Sequence, residues 1–104
     1  GENLADLAGL TIAFDALAMR QRERSLRPVD GFTPAQRFFM AWARAWRNHY
    51  TPARLKLQVN TNPHAPARFR AVGPLSNLDA FQEAFGFGPD AEVMRSPGER
   101  AVIW

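Results

Sequence analysis

Two carboxylates stand at the start of the chain, Glu2 and Asp6, four residues apart. On a helix that spacing puts both on one face, with Cβ atoms roughly 5–6 Å apart. Paired acids can serve a metal ion together: one oxygen ligates it, while the second acid accepts the N–H of a ligating imidazole and fixes its tautomer. Acids in a first helical turn also complement the helix dipole, a role that needs no ligand. Further along, His64 and Arg70 lie six residues apart. In a Pro-flanked segment His64 would be a surface histidine in most proteins, and Arg70 could be one more member of a basic stretch. The other histidine, His49, sits near the end of a predicted helix, where its interaction with the dipole explains it without catalysis.

The elements that must position these residues are mainly helical. Leu7, Leu10, Phe14 and Leu17 recur at helical spacing and predict a long amphipathic helix over residues 3–24, broken by Arg27-Pro28 and Asp30-Gly31. Its acids lie at the start and Arg20, Arg22 and Arg24 at the end, in keeping with the dipole. Thr33-Pro34-Ala35-Gln36 reads as a capping box with proline at the first helical position, starting a helix that should run to about His49. Phe38, Trp42 and Ala45 form one stripe, which Phe39 and Trp46 widen, so this helix is expected to be enclosed on most sides and to form the centre of the core.

Thr51-Pro52 repeats the cap-plus-proline signal, whereas Leu55, Leu57 and Val59 alternate as in a strand; a short helix is the preferred reading. Asn60 to Pro66 reads as a loop carrying His64. Ser76-Asn77-Leu78-Asp79 looks like a further helix start, with Phe81 and Phe85 on one face and Gly86 as the stop. The remainder, including Gly88-Pro89 and Pro97-Gly98, is read as irregular. Val102-Ile103-Trp104 is expected to dock on the core, because leaving that apolar surface in water is costly.

With 104 residues, the chain has the size of one domain with one core, able to bury roughly 60–68% of its unfolded surface. Its 46% hydrophobic content, eight Phe and three Trp exclude a disordered tail. No apolar run reaches the ~20 residues needed to span a bilayer, and Gly1-Glu2-Asn3 carries no secretory signal. Without cysteine there is no disulfide framework and no thiolate chemistry. Residues 31–74 hold seven basic side chains and no acid, a stretch that could attract phosphate or an acidic partner, or simply be solvated arginines on helix faces.

Read together, the motifs resemble a known family. Gly1-Glu2-Asn3-Leu4-Ala5-Asp6 resembles the Gly-Glu-Asn-x-x-Asp motif of the neprilysin and endothelin-converting-enzyme family of zinc metallopeptidases. Gly31 to Phe39 resembles the segment before its late helix, with Trp42 and Trp46 at similar aromatic positions. His64-Ala65-Pro66-Ala67-Arg68-Phe69-Arg70 is similar to its His-x-Pro-x-x-Phe-Arg motif, and Gly73, Ser76-Asn77 and Glu83-Ala84-Phe85 follow in register to a terminal Trp. The resemblance covers essentially the whole chain.

It implies a helical C-terminal segment, with irregular loops, of a gluzincin-type zinc peptidase catalytic domain, residues 1–104 forming part of one domain. It implies peptide hydrolysis with one zinc ion in the complete enzyme: Glu2 as the third zinc ligand, Asp6 as the acid behind the metal site, often described as a proton donor, His64 at the oxyanion and Arg70 on a substrate carbonyl. The partners implied are short peptide substrates and the remainder of the catalytic domain, with no nucleic acid. His49 and His64 are the only histidines and neither lies in a His-Glu-x-x-His segment, so the chain is expected to be inactive and without a tight zinc site alone. Its start one residue before Glu2 is read as that of a piece of a longer protein, with a core open where the rest packs. Phe87 and Ala101 stand where many eukaryotic members carry Cys, which favours a bacterial-style relative. Composition leaves localisation open; the resemblance favours a periplasmic, secreted or membrane-anchored extracellular setting. The alternative is a small basic helical module that binds nucleic acid or an acidic partner through residues 31–74.

Overall fold

A computed structural model describes residues 1–88 and 90–103 of the chain. Five α-helices follow in order: α1 (Glu2–Glu23), α2 (Pro34–Ala45), α3 (Pro52–Thr61), α4 (Ala67–Leu75) and α5 (Asp79–Phe85), with a 3₁₀ turn at Pro97–Glu99. The mainly α architecture expected from the periodicity is therefore present, and no strand occurs among the described residues.

The stripe on α1 faces inward as its spacing requires: Leu7 and Leu10 are buried, Phe14 and Leu17 half-buried. After α1 the chain reverses at Val29–Phe32, whose backbones exchange two hydrogen bonds of 3.0 Å. Asp30 (φ 52°) and Gly31 (φ 80°) are both left-handed there, the conformation of a type I′ turn, which Asp-Gly adopts readily. Thr33 then starts α2 through the capping box, its side chain accepting from Gln36 N while Gln36 Oε1 accepts from Thr33 N. Replacing that cap, Thr33→Ala, should lower stability by about 1 kcal/mol, read as a shift in the denaturant midpoint.

Phe39 on α2, only 1% exposed, is the centre of the core. It stacks on Phe14 of α1 at 4.9 Å and meets Phe81 of α5 edge-on at 5.4 Å, so one ring ties three helices together. Leu75 of α4 and Met94 complete the buried cluster. The expectation that α2 is enclosed on most sides was too broad. Ala41, Ala43, Arg44 and Ala45 are exposed, and Trp42 and Trp46 are half-buried. Nor does the helix reach His49. It ends at Ala45 with Trp46 as its cap, leaving His49 exposed beyond the helix end, so a dipole role does not account for it.

Thr51-Pro52 does start a helix, Thr51 accepting from Arg54 N; the alternation of Leu55, Leu57 and Val59 is not a buried face, since all three are at least 41% exposed. α4 was not predicted, because its short sequence carries no side-chain cap at its start and contains Gly73 and Pro74 near its end. Ser76 and Asn77, read as the start of the next helix, instead turn back onto the carbonyl of Gly73 and close α4, one of the orphan acceptors every helix end leaves. α5 starts at Asp79 without a side-chain cap and stops at Gly86 (φ 65°), where Phe87 N–H bonds Gln82 O, the pattern of a Schellman stop.

The C-terminal segment is held by polar contacts. Arg95 N donates to Ser76 O, Ala101 N to Asn77 Oδ1, and Arg100 clamps Asp79 and Gln82. Of the apolar terminus, Val102 is 80% exposed, contrary to expectation, whereas Ile103 is half-buried. The parts of the expectations that concern Pro89 and Trp104 lie outside the described residues. Phe87 packs on Phe81 and Phe85. No described helix is long and apolar enough to cross a membrane. Apolar side chains stay exposed on α1 (Leu4, Ile12, Met19), on α3 and on α4 (Phe69, Val72).

Candidate active site

The first two turns of α1 meet α4 and the loop between α3 and α4, and there the four residues singled out in the sequence come together in two pairs. Asp6 Oδ1 and Oδ2 accept from Arg70 Nη2 and Nε, each at 2.7 Å, a fork-to-fork contact across a sequence separation that only tertiary packing can close. One helical turn earlier on the same face, Glu2 Oε2 lies 2.9 Å from Nε2 of His64, an ion pair whenever the ring is protonated. The acids are side by side as their spacing requires, and each is answered by one member of the second motif.

The pairs differ in setting. Asp6 and Arg70 retain only 11% and 19% side-chain exposure, whereas Glu2 and His64 retain 48% and 39%. Asp6 is next to buried Leu7 on the part of the chain where α1 packs on α4, whereas Glu2 is the first residue of α1. Hydrogen bonding to Asp6, reinforced by the nearby negative charge of Asp6 and Glu2, raises the Arg70 pKa above its already high ordinary value against the opposing effect of burial, so the guanidinium stays charged.

Arg70 also lies over the ring of Trp46, 3.9 Å from its centroid. A cation on an aromatic face is held by the ring quadrupole as well as by packing. The guanidinium is thus fixed by Asp6 along one edge and by Trp46 on one plane, with Nη1 still carrying donors. The sequence showed Trp46 as part of a helical stripe and at an aromatic position of the resemblance; its place under Arg70 is a tertiary contact between the cap of α2 and α4. Trp46, Tyr50, Gln58, Asn62, His64 and Arg70 border a mostly polar cavity of about 250 Å³. A second cavity, of about 360 Å³, is bordered by Asp6 and Arg70 together with Leu4, Phe69 and Asn77.

Asn62, read in sequence only as a turn former, contacts His64 twice. Its Oδ1 accepts the backbone N–H of His64 at 2.9 Å and stands 3.1 Å from the ring Nδ1. The signal was available, since Asn two residues before another residue commonly forms such an Asx turn.

As a metal site these residues are a part and not a whole. A carboxylate oxygen is a suitable zinc donor, and Glu2 is half-exposed at the rim, open to approach. Yet no cluster of three or more His, Cys, Asp or Glu side chains able to hold a metal occurs among the described residues. Asp6 is not placed as a second direct ligand here, because Arg70 engages both its oxygens; a carboxylate can still accept from a further donor on its remaining lone pairs. Of the seven basic residues of 31–74, Arg70 is turned inward onto Asp6, while Arg44, Arg47 and Arg68 flank an open hollow beside Trp46.

Comparison with known proteins matches residues 1–101 to the model of Peptidase family M13. The whole chain aligns with an endothelin-converting enzyme homolog of Locusta migratoria at 43% identity, with neprilysin-3 of Drosophila melanogaster at 36%, and with human endothelin-converting enzyme 1 at 36%. It spans 14% of the length of each. Among solved structures, two of the zinc metalloprotease ZMP1 of Mycobacterium tuberculosis, one in an open state and one in complex with an inhibitor, superpose on the whole chain with TM-scores of 0.93 and 0.94. Each is 36% identical and is covered over 16% of its length.

Proposed function

The chain belongs to Peptidase family M13, and from that premise we propose that it is the C-terminal part of the catalytic domain of a zinc-dependent endopeptidase acting on short peptides. The observation that carries the proposal is the convergence of the two acids of α1 on His64 and Arg70 in the two pairs described above. The exposed apolar residues of α1, α3 and α4 are in keeping with burial against the remainder of that domain, which would supply two His ligands and a glutamate from a His-Glu-x-x-His helix.

In this reading Glu2 is the third zinc ligand. Zinc, when bound, polarises the scissile carbonyl and makes its water acidic enough to attack at neutral pH. Asp6 stands behind the ligands and takes the N–H of a coordinating imidazole on a lone pair that Arg70 leaves unused. His64, whose Nε2 lies beside the ligand carboxylate, donates to the oxyanion that forms as water adds to the carbonyl. Arg70, immobilised by Asp6 and Trp46, presents Nη1 to a substrate backbone carbonyl and holds the peptide in register. Pre-fixing the guanidinium limits the conformational entropy lost when substrate binds.

The complete protein should hydrolyse short peptides, lose that activity to a chelator and regain it with zinc. Hydrolysis indifferent to chelation would overturn the proposal. The 104-residue chain by itself should show no stoichiometric submicromolar zinc binding in calorimetry, since it carries one proposed ligand of three. Tight binding that Glu2→Gln left unchanged would remove Glu2 from the site.

A further inference from the structure

Three arginines that the proposed site does not use gather at one place. Arg44 lies in the last turn of α2, and Arg47 follows three residues on, its N–H bonded to Arg44 O at 3.1 Å. Arg68 comes from the first turn of α4. With Trp46 and His49 they border the open hollow, which has a volume of about 800 Å³ and is left roomy by the short side chains of Ala43 and Ala71. No acid borders it. The three arginines are exposed, and none forms an ion pair among the described residues. The helix dipole accounts for Arg44 at the C-terminal end of α2, but it disfavours Arg68 at the N-terminal end of α4. The indole N–H of Trp46 is buried with no acceptor among the described residues, so the place is short of acceptors as well as of negative charge. Trp46 also joins the hollow to the site: its ring lies under Arg70 and borders the cavity that His64 and Arg70 share.

We propose that this hollow is a subsite for an acidic side chain of the peptide substrate. The inference rests on the role of Arg70 given above. An extended chain advances roughly 3.4 Å per residue, so the acid belongs about one or two residues from the carbonyl that Arg70 grips. Guanidinium groups present forked donors that match a carboxylate. Their attraction is present from binding onward, so it lowers KM for an acidic peptide and leaves kcat alone. Because the arginines are exposed, the gain is modest and salt screens it.

The test uses the complete enzyme and peptides that carry Glu, Gln or Lys at one position in turn on either side of the scissile bond, each with a free or an amidated C-terminus. At one position Glu should raise kcat/KM about 3- to 10-fold over Gln, through KM, and Lys should lower it, with both effects shrinking as salt is added. Arg44→Gln/Arg47→Gln should remove most of the Glu advantage while the Gln peptide is cleaved as before. Arg44→Glu/Arg47→Glu should reverse the order of Glu and Lys. An advantage at no position, or one that survives both double variants, overturns the subsite. So does an advantage that disappears on amidation, which would assign the hollow to the terminal carboxylate, and so does an equal fall for the Glu and Gln peptides in Arg44→Gln/Arg47→Gln. Hydrolysis of none of the peptides overturns the peptidase reading and the subsite with it; zinc-dependent hydrolysis of all of them at one rate overturns the subsite alone.

Discussion

In the complete enzyme, Glu2→Ala is expected to abolish peptide hydrolysis, whereas Asp6→Ala should retain metal more firmly and lose about 10- to 100-fold in metal affinity or activity. The difference follows from the role proposed for each carboxylate. Removing a direct ligand from a three-ligand site leaves two donors and no charge to match the ion. Removing the acid behind it leaves the ligands present but less well oriented. The structure adds a second consequence for Asp6. Its two oxygens hold Arg70, so Asp6→Ala also frees the guanidinium, and KM should rise along with the fall in kcat. Asp6→Ala should be the more damaging to folding of the two, because it strips the partner from a charge with only 19% exposure, while Glu2 is half in solvent.

His64→Ala should lower kcat by about 10²- to 10³-fold with zinc retained, as expected for loss of an oxyanion donor. Charge on the substrate oxygen exists only in the transition state, so KM should change little. Arg70→Ala should act on the other parameter: a grip on a substrate carbonyl is present from binding onward, and its loss mainly raises KM. Arg70→Lys should restore little, because a single ammonium cannot make two parallel bonds to Asp6 and still lie flat over Trp46. Arg68→Ala is the control. That side chain is exposed, forms no ion pair among the described residues and should be near neutral in both parameters. Equal dispensability of Arg68 and Arg70 would favour a basic binding surface over a peptidase site.

The helices that carry these residues were legible where local chemistry is strong. The stripe of α1, the capping box at Thr33 and the proline starts of α2 and α3 are signals written within a few residues, and the structure has each of them. α4 was not legible, although it carries Arg70, because a nine-residue helix with Gly73 and Pro74 is held by its packing against α1 and α2 more than by its own propensity. The same limit applies to α2: Phe38, Trp42 and Trp46 are apolar around much of the helix, but apolar composition does not say which side has neighbours. Among the site residues, the shared face of Glu2 and Asp6 follows from helical geometry. That they share a site with His64 and Arg70 was reached only through the family motifs, and the pairing itself not at all, since no local rule joins residues more than sixty positions apart. Trp46 and Asn62 were visible as residue types but not as supports, because their partners are set by where α2 ends and how the loop after α3 folds back.

On the proposed reading, Glu2 is this chain's one ligand to a zinc site completed by the rest of the protein. Zinc content per molecule of the purified complete enzyme, measured side by side for the wild type, Glu2→Ala and Asp6→Ala, tests it most directly. One zinc is expected in the wild type, with a marked loss in Glu2→Ala and substantial retention in Asp6→Ala; full occupancy in Glu2→Ala with loss in Asp6→Ala would exclude Glu2 as the ligand.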